Sequence, residues 1–516
     1  RVHSSHTMLN DLCFNQDFTC LLVSTSEGHR IFNCDPLGEF YALSKSPDNS
    51  GSGTALLRML FSTSLTIIVP QTEASHDSGR VLRIFNLKQN SKICELTFPL
   101  QILDVMLNRK RMVVFLEAGQ IYIYDLSSVR LMKVLETDVF GTGHDGNGLS
   151  VIAAMTPDDS SLLVLPLLAI HELTDLLNTD PGLTLATGLP RASEFVLEQP
   201  QDVLMPSLAP FIELTHKNEQ AQAAKKPLNT LRDLQKDSGG WVLVYDTIQL
   251  RPRLIYKAHD SAIAKIAVSV DSKYIATAST KGTIIRVSHI EADSEDEVGN
   301  LHITQVTNLR RGHNPVKINA LKFDLDLTVL GCGSESGAVH LFTVTNPHSG
   351  SPVETVADTG EFDREGNLSE DEPSTRLSSL EDLNENLANL LLLKESEDQK
   401  VKSKEKQETS SYFSALKSSS KLINNSYTKL LMRKLPYKQY IRNLVWEKPR
   451  RSFAYVRLPE ADTHSSTKGV EIGFTSGGIL MLASYKTGML HLYQLPREIS
   501  EERAECKRLL LDSLLP

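Results

Sequence analysis

Gly119-Gln120-Ile121-Tyr122-Ile123-Tyr124 joins a glycine to an alternating hydrophobic run that ends on an aromatic, and the same unit recurs along the chain. Its copies are Gly28/Phe32, Gly79/Phe85, Gly240/Tyr245, Gly337/Phe342 and Gly488/Tyr493, and Gly282/Val287 completes the set with an aliphatic substitute. Period-two alternation after a glycine-containing turn reads as strand, turn, strand. Flanking segments agree: Lys265-Ile-Ala-Val-Ser269 precedes Tyr274-Ile-Ala-Thr-Ala278 across the turn-like Val270-Asp-Ser-Lys273. Seven copies of one hairpin favour radial repetition, so the expected fold is all-β, a seven-bladed β-propeller. A sandwich or barrel built from the same short strands is the rival. The Trp-Asp ending of WD repeats is missing, since the only tryptophans are Trp241 and Trp446, so the blades are a divergent form of that repeat.

The spacing of the units places blades one to six over 9–346, with an insertion at about 167–239 inside blade four. A second insertion, 347–449, falls within blade six; 450–497 supplies the end of blade six and blade seven, and 498–516 reads as a C-terminal tail. The second insertion has two halves of opposite charge. From Glu354 to Lys400 there are fourteen acidic and four basic side chains among serines, a composition that favours solvation and disorder. Phosphorylation there would add negative charge beside a basic neighbour. From Ser410 to Arg451 ten basic residues face one acidic residue, Glu447. In that half Phe413, Leu416, Ile423, Tyr427, Leu430 and Leu431 follow helical spacing, and Tyr437, Tyr440, Ile441, Leu444 and Val445 repeat it after Pro436. Basic amphipathic helices with aromatics suit the interfacial region of an anionic bilayer. The alternative is a helix docked on the propeller with its lysines in water.

Composition excludes several classes. The 516 residues suffice for a large core, and a net charge of −9 argues against a general nucleic-acid binder. The six cysteines are scattered with no C-x-x-C pair, which fits reduced thiols and a cytosolic compartment. No apolar run approaches the roughly 20 residues needed to cross a bilayer, so any membrane contact is expected to be peripheral. Arg1 to Met8 lacks the apolar core of a secretory signal and reads as an irregular tail. No P-loop, G-x-S-x-G, H-E-x-x-H or clustered metal-ligand spacing occurs, and Gly141 to Gly148 is glycine-rich without a strand-to-helix context. The expectation is therefore a protein that is not an enzyme, with no cofactor, no metal and no catalytic residues.

The stretch that carries chemistry is Asn308-Leu309-Arg310-Arg311-Gly312. Adjacent arginines on extended backbone point to opposite sides, so the pair can serve two neighbouring pockets. His259, Thr277, Ser279 and Thr283 surround the fifth unit, and Ser334 and His340 hold comparable places in the sixth. Guanidinium forks, hydroxyls and imidazoles near one another are what phosphate recognition needs. The plain alternatives are a solvated turn for the arginines and turn capping for the hydroxyls.

At these residues the sequence resembles the PROPPIN family, polyphosphoinositide-binding β-propellers called WIPI proteins in animals, and most of all its fungal autophagy members. The family signature is Phe-Arg-Arg-Gly before a hydrophobic strand; here Leu309-Arg310-Arg311-Gly312 precedes Ile318-Asn-Ala-Leu-Lys-Phe323. Further matches are Ile31-Phe-Asn-Cys-Asp-Pro36, Met59-Leu-Phe-Ser-Thr-Ser-Leu65, Asn108-Arg-Lys-Arg-Met112, Ile121-Tyr-Ile-Tyr-Asp125 and Lys281-Gly-Thr-Ile-Ile-Arg286. The resemblance implies one headgroup site at His259, Thr277, Ser279, Thr283, Arg286 and Arg310, and a second at Arg311, Ser334 and His340. It implies phosphatidylinositol 3-phosphate and phosphatidylinositol 3,5-bisphosphate as ligands, and membrane insertion by the long blade-six segment at Tyr437, Tyr440, Ile441, Leu444 and Val445. Implied partners are an autophagy lipid-transfer protein or a conjugation-machinery coiled-coil protein, bound through early blades, where Arg80 and the loop 71–78 lie. Implied locations are preautophagosomal, endosomal and vacuolar membranes. Leu309, Asp260, Thr280 and Ala338 depart from the residues common in the family, which bears on headgroup preference. A protein-only scaffold propeller in vesicle trafficking is the other reading of the same residues.

Overall fold

Alternating runs of this kind bury one row of side chains against each neighbouring sheet, and the chain does so seven times over. In the computed structural model, residues 7–44, 53–71, 79–137, 151–167, 240–259, 261–292, 301–344, 449–459, 468–496 and 503–516 are described. Blade one is the antiparallel sheet Leu9–Phe14, Cys20–Thr25, Gly28–Cys34 and Leu37–Ser44, its strands side by side in chain order. Blades two to seven repeat that order over 53–97, 102–136, 154–259, 263–310, 318–457 and 470–513. The architecture is a seven-bladed β-propeller. The chain between the second and third strands of blade four, and between the third and fourth of blade six, covers both insertions, which lie outside the described residues.

Outside blade four, where Gly240 opens the third strand after the insertion, the repeated glycine sits at the turn between the second and third strands and has a positive φ. At Gly119 the φ is 84° and its N–H donates to the Leu116 carbonyl at 3.0 Å. The aromatic that follows lies on the third strand and packs inward: Tyr124 meets Phe98 edge-on at 6.2 Å, and Tyr245 and Phe342 are fully buried. A second device recurs at the outer strand. Just past it, one residue donates its N–H back to the carbonyl of the glycine turn, as Thr137 does to Gly119, Leu458 to Gly337 and Leu514 to Gly488. In blades two and five the acceptor is the residue after the glycine: Phe98 donates to Arg80 and Arg311 to Thr283, both at 2.9 Å. This clip ties the end of the outer strand to one rim of the ring.

Two features differ from the sequence expectation. The C-terminal residues are not a tail, because Lys507–Ser513 pairs antiparallel with Met489–Gln494 as the outer strand of blade seven. Its leucines Leu509, Leu510 and Leu511 all stay exposed, so no alternation marks the strand and only backbone bonding specifies it. Blades five and six also share a connection. Arg450–Arg451 runs parallel to the end of blade five's outer strand, pairing with Leu309 and Arg310, before the chain crosses to Ala454–Arg457 as the fourth strand of blade six. Ala504–Glu505 then adds a fifth strand beside it.

Among the described residues no strand is shared between the first and last blades, and side chains pack across that junction. Phe14 packs over Gly473, where a Cβ would lie 2.8 Å from its ring, and Phe18 meets Phe474 edge-on at 6.1 Å. Tyr485 donates its hydroxyl to the Leu12 carbonyl at 2.6 Å. The axis is a charged channel of 370 Å³, in which Arg58 bridges Asp11 and Asp104, both at 2.7 Å, and Lys468 reaches Asp11 at 3.2 Å. Burial pushes the Asp11 carboxyl up, but Arg58 and Lys468 outweigh it and hold the group below the usual carboxylate range.

Candidate functional site

Blade five carries most of the singled-out residues, and its ladder places them. Thr277 pairs with Arg286, which pairs with Asn308, so one row crosses three strands on one face. Arg310 lies two residues beyond Asn308 on that face, opposite Ile284. This is the face toward blade four. Arg286 donates to the Ala258 carbonyl at 2.6 Å, and His259, which ends blade four's outer strand rather than opening blade five, sets Nε2 at 3.0 Å from the Thr277 hydroxyl. The structure thus joins His259, Thr277 and Arg286 directly. Ser279 is buried at the end of its strand, its carbonyl accepting the turn bond from Gly282, and Thr283 accepts from the backbone of Arg311. Arg310 is at the strand's end with Nη1 3.4 Å from His313 Nδ1, and it makes no bond to the His259 group among the described residues.

Arg311 belongs to the other side. Its backbone is the clip of blade five, and its Nε donates to the Gly282 carbonyl at 2.7 Å while Nη2 donates to the Asn314 carbonyl. Gly282 is required here: its φ is 59°, and a Cβ would stand 1.8 Å from the Val316 carbonyl oxygen. The Arg311 charge reaches blade six, where it adds to the depression of His340. His340 pairs with Cys332 and Tyr455 across its sheet, and its Nδ1 faces Ser452 Oγ at 3.4 Å and a guanidinium nitrogen of Arg503. Ser334, two residues along from Cys332 on the same strand, has its hydroxyl 2.8 Å from that of Ser336 and 3.3 Å from the Ala338 carbonyl.

Both imidazoles are neutral at physiological pH. Burial pushes His259 down to about 3, helped by Arg286 and opposed by its bond to Thr277. Burial, with Arg503 and Arg311 nearby, pushes His340 down to about 4. A neutral imidazole beside a guanidinium adds a hydrogen-bonding atom without adding charge. One such cluster, His259 with Thr277 and Arg286, lies on the blade-four side of the Arg310–Arg311 pair, and the other, His340 with Arg503, lies in blade six.

Other sequence expectations fall elsewhere. Arg80 sits at the clip turn of blade two, with Nε donating to the Phe98 carbonyl at 3.2 Å, and Gln71 accepts from Asn10 at 2.6 Å. Asp260, the loop 72–78, and Tyr437, Tyr440, Ile441, Leu444 and Val445 lie outside the described residues. Sequence reasoning missed Arg450 and Arg451 as ladder neighbours of the arginine pair, and Arg457 and Arg503 on the ring of Tyr455, the strand partner of His340. Only a fully paired ladder could have shown them, because they are more than a hundred residues away from Arg310 and Arg311.

Fold and rim together define a ring-shaped propeller of the divergent WD-repeat class with its cationic edge at blades five and six. Residues 8–157 match the family model PROPPIN, and 250–285 match the WD domain, G-beta repeat. The chain is 46% identical to Autophagy-related protein 21 of Debaryomyces hansenii, covering 98% of this chain and all of that protein. It is 43% identical to Autophagy-related protein 21 of Candida albicans over 95% of both chains, and 34% identical to Autophagy-related protein 18 of Kluyveromyces lactis over 66% of this chain and 62% of that one. The chain belongs to the PROPPIN family. Among solved structures, a complex of KlAtg21 with the coiled-coil of AgAtg16 matches with a TM-score of 0.53 at 22% identity, covering 98% of this chain and 99% of that one. Kluyveromyces lactis Hsv2 matches with a TM-score of 0.51 at 15% identity, covering 98% and 99%, and both likenesses are of fold.

Proposed function

We propose that this protein is a peripheral membrane effector that binds phosphatidylinositol 3-phosphate and phosphatidylinositol 3,5-bisphosphate through two sites flanking Arg310-Arg311, and recruits autophagy machinery. The observation that carries this reading is the turn itself. Arg310 continues the face that bears Arg286 and the His259–Thr277 pair, while Arg311 is clipped by its own backbone toward His340. Two weak headgroup sites on one rim, with the basic segment 410–451 entering the bilayer at Tyr437, Tyr440, Ile441, Leu444 and Val445, would multiply affinity through effective concentration. The family supports phosphoinositide binding, and the relatives' names support autophagy. The partner we favour is a coiled-coil protein of the conjugation machinery, the kind of chain that KlAtg21 is complexed with; an autophagy lipid-transfer protein is the other candidate. The membranes are then preautophagosomal, endosomal and vacuolar.

The test is co-flotation of the full chain with liposomes containing the 3-phosphate, the 3,5-bisphosphate or neither, alongside the Arg310→Thr/Arg311→Thr variant. The expected result is binding that requires both the 3-phosphorylated lipid and the arginines, with a loss of about tenfold or more in the variant. Undiminished binding by the variant would overturn the two-site reading. Absence of binding by the native chain would leave the protein-only scaffold.

A further inference from the structure

Four arginines from segments distant in sequence from Arg310 and Arg311 gather along this rim. Arg451 lies beside Arg310 in the parallel ladder, and Arg450 beside Leu309. Arg457 ends the fourth strand of blade six, opposite Ala338. Arg503 precedes the short fifth strand and stacks on the Tyr455 ring at 4.7 Å, with Arg457 over the same ring at 5.5 Å. A guanidinium has only donors, so the contact between Arg503 and His340 makes Nδ1 the acceptor.

Among the described residues no carboxylate lies within ion-pair distance of Arg310, Arg311, Arg450, Arg451, Arg457 or Arg503, and Arg450 Nη1 is buried with no hydrogen-bond partner. Burial lowers the pKa of Arg503, and the Arg457 and Arg451 charges deepen the fall against Tyr455. Like charges gathered on a rigid ladder beside a neutral imidazole make a receptor for a dense negative charge.

We infer that Arg503, supported by Arg451 and Arg457, is a specificity-determining residue of the Arg311–His340 site and takes the second phosphate of a bisphosphorylated inositol headgroup. The inference rests on the two-site reading above. Arg311, whose Nε and Nη2 already donate to the Gly282 and Asn314 carbonyls, can take a single phosphate; Arg503 brings a second guanidinium to His340. A bisphosphate gains from both, and a monophosphate fills only one.

The test measures the affinity of the full chain for vesicles carrying the 3-phosphate, the 3,5-bisphosphate or phosphatidylserine alone, for native protein and for Arg503→Gln. Arg508→Gln, the same charge change on blade seven's exposed outer strand, is the control, and a thermal melt verifies folding. The expected result is a loss of about tenfold for bisphosphate vesicles and less than about threefold for monophosphate vesicles in Arg503→Gln, with Arg508→Gln unchanged. Equal losses on both lipids, no loss, or the same loss in Arg508→Gln would each overturn the assignment, as would equal displacement by inorganic phosphate. Binding that needs Arg310 and Arg311 but ignores Arg503 removes this inference alone. Binding that ignores all three removes the two-site reading with it.

Discussion

Gly282 holds the rim in register through its own carbonyl, which accepts from Arg311, and through the space its missing Cβ leaves for the Val316 carbonyl. An alanine there must sit at φ 59° and move that segment, at a cost of about 1–3 kcal/mol. We expect Gly282→Ala to lower the melting temperature and to reduce vesicle affinity about tenfold or more, because the Arg311 guanidinium loses its anchor. A variant that melts lower yet floats like the native chain would show that Arg311 needs no such anchoring. The arginine pair and the imidazoles were legible in the sequence because hydroxyls, histidine and guanidinium cluster near one hairpin. Ser334 shows what that reasoning leaves out: its hydroxyl bonds Ser336 and the Ala338 carbonyl, a turn contact that sequence spacing does not reveal.

At the scale of elements, the clip explains why the pair sits where it does. Blade two uses buried Phe98 at the clip position and blade five uses Arg311, so one backbone device serves packing in one blade and presents a charge in the other. The strand that crosses from Arg450–Arg451 to Ala454–Arg457 fastens the far end of the blade-six insertion beside the same rim. A membrane-inserting segment that returns there would be tethered next to both headgroup sites. Replacing Tyr437, Ile441 and Leu444 by aspartate is therefore expected to reduce bilayer retention while leaving binding of a soluble inositol phosphate intact, measured by flotation and by calorimetry. Loss of both activities would assign those residues to folding instead.

For the whole molecule, three buried imidazoles link stability to pH. Burial depresses His29 to about 4, His259 to about 3 and His340 to about 4, each from an ordinary 6.5. The unfolded chain therefore binds more protons than the folded one below pH 6.5, so this stability is complete above that value and is lost as pH falls toward 4. Each histidine contributes up to about 1.4 kcal/mol per pH unit within the window. Urea midpoints should be level above pH 7 and decline from 6.5 to 5, less steeply in His259→Gln; an equal slope in that variant would show that its imidazole is not buried neutral. The sequence by itself determined the seven-fold repetition, the turn glycines and the opposed arginines, because these rest on local alternation and on φ preferences within a few residues. Only the tertiary structure decided that Lys507–Ser513 completes blade seven, that Phe14, Phe18 and Phe474 pack across the junction of the first and last blades, and that Arg451 and Arg503 stand beside Arg310 and His340. Those placements are backbone pairings and packings between segments far apart in the chain, and strand pairing leaves no periodic mark on the side chains it brings together.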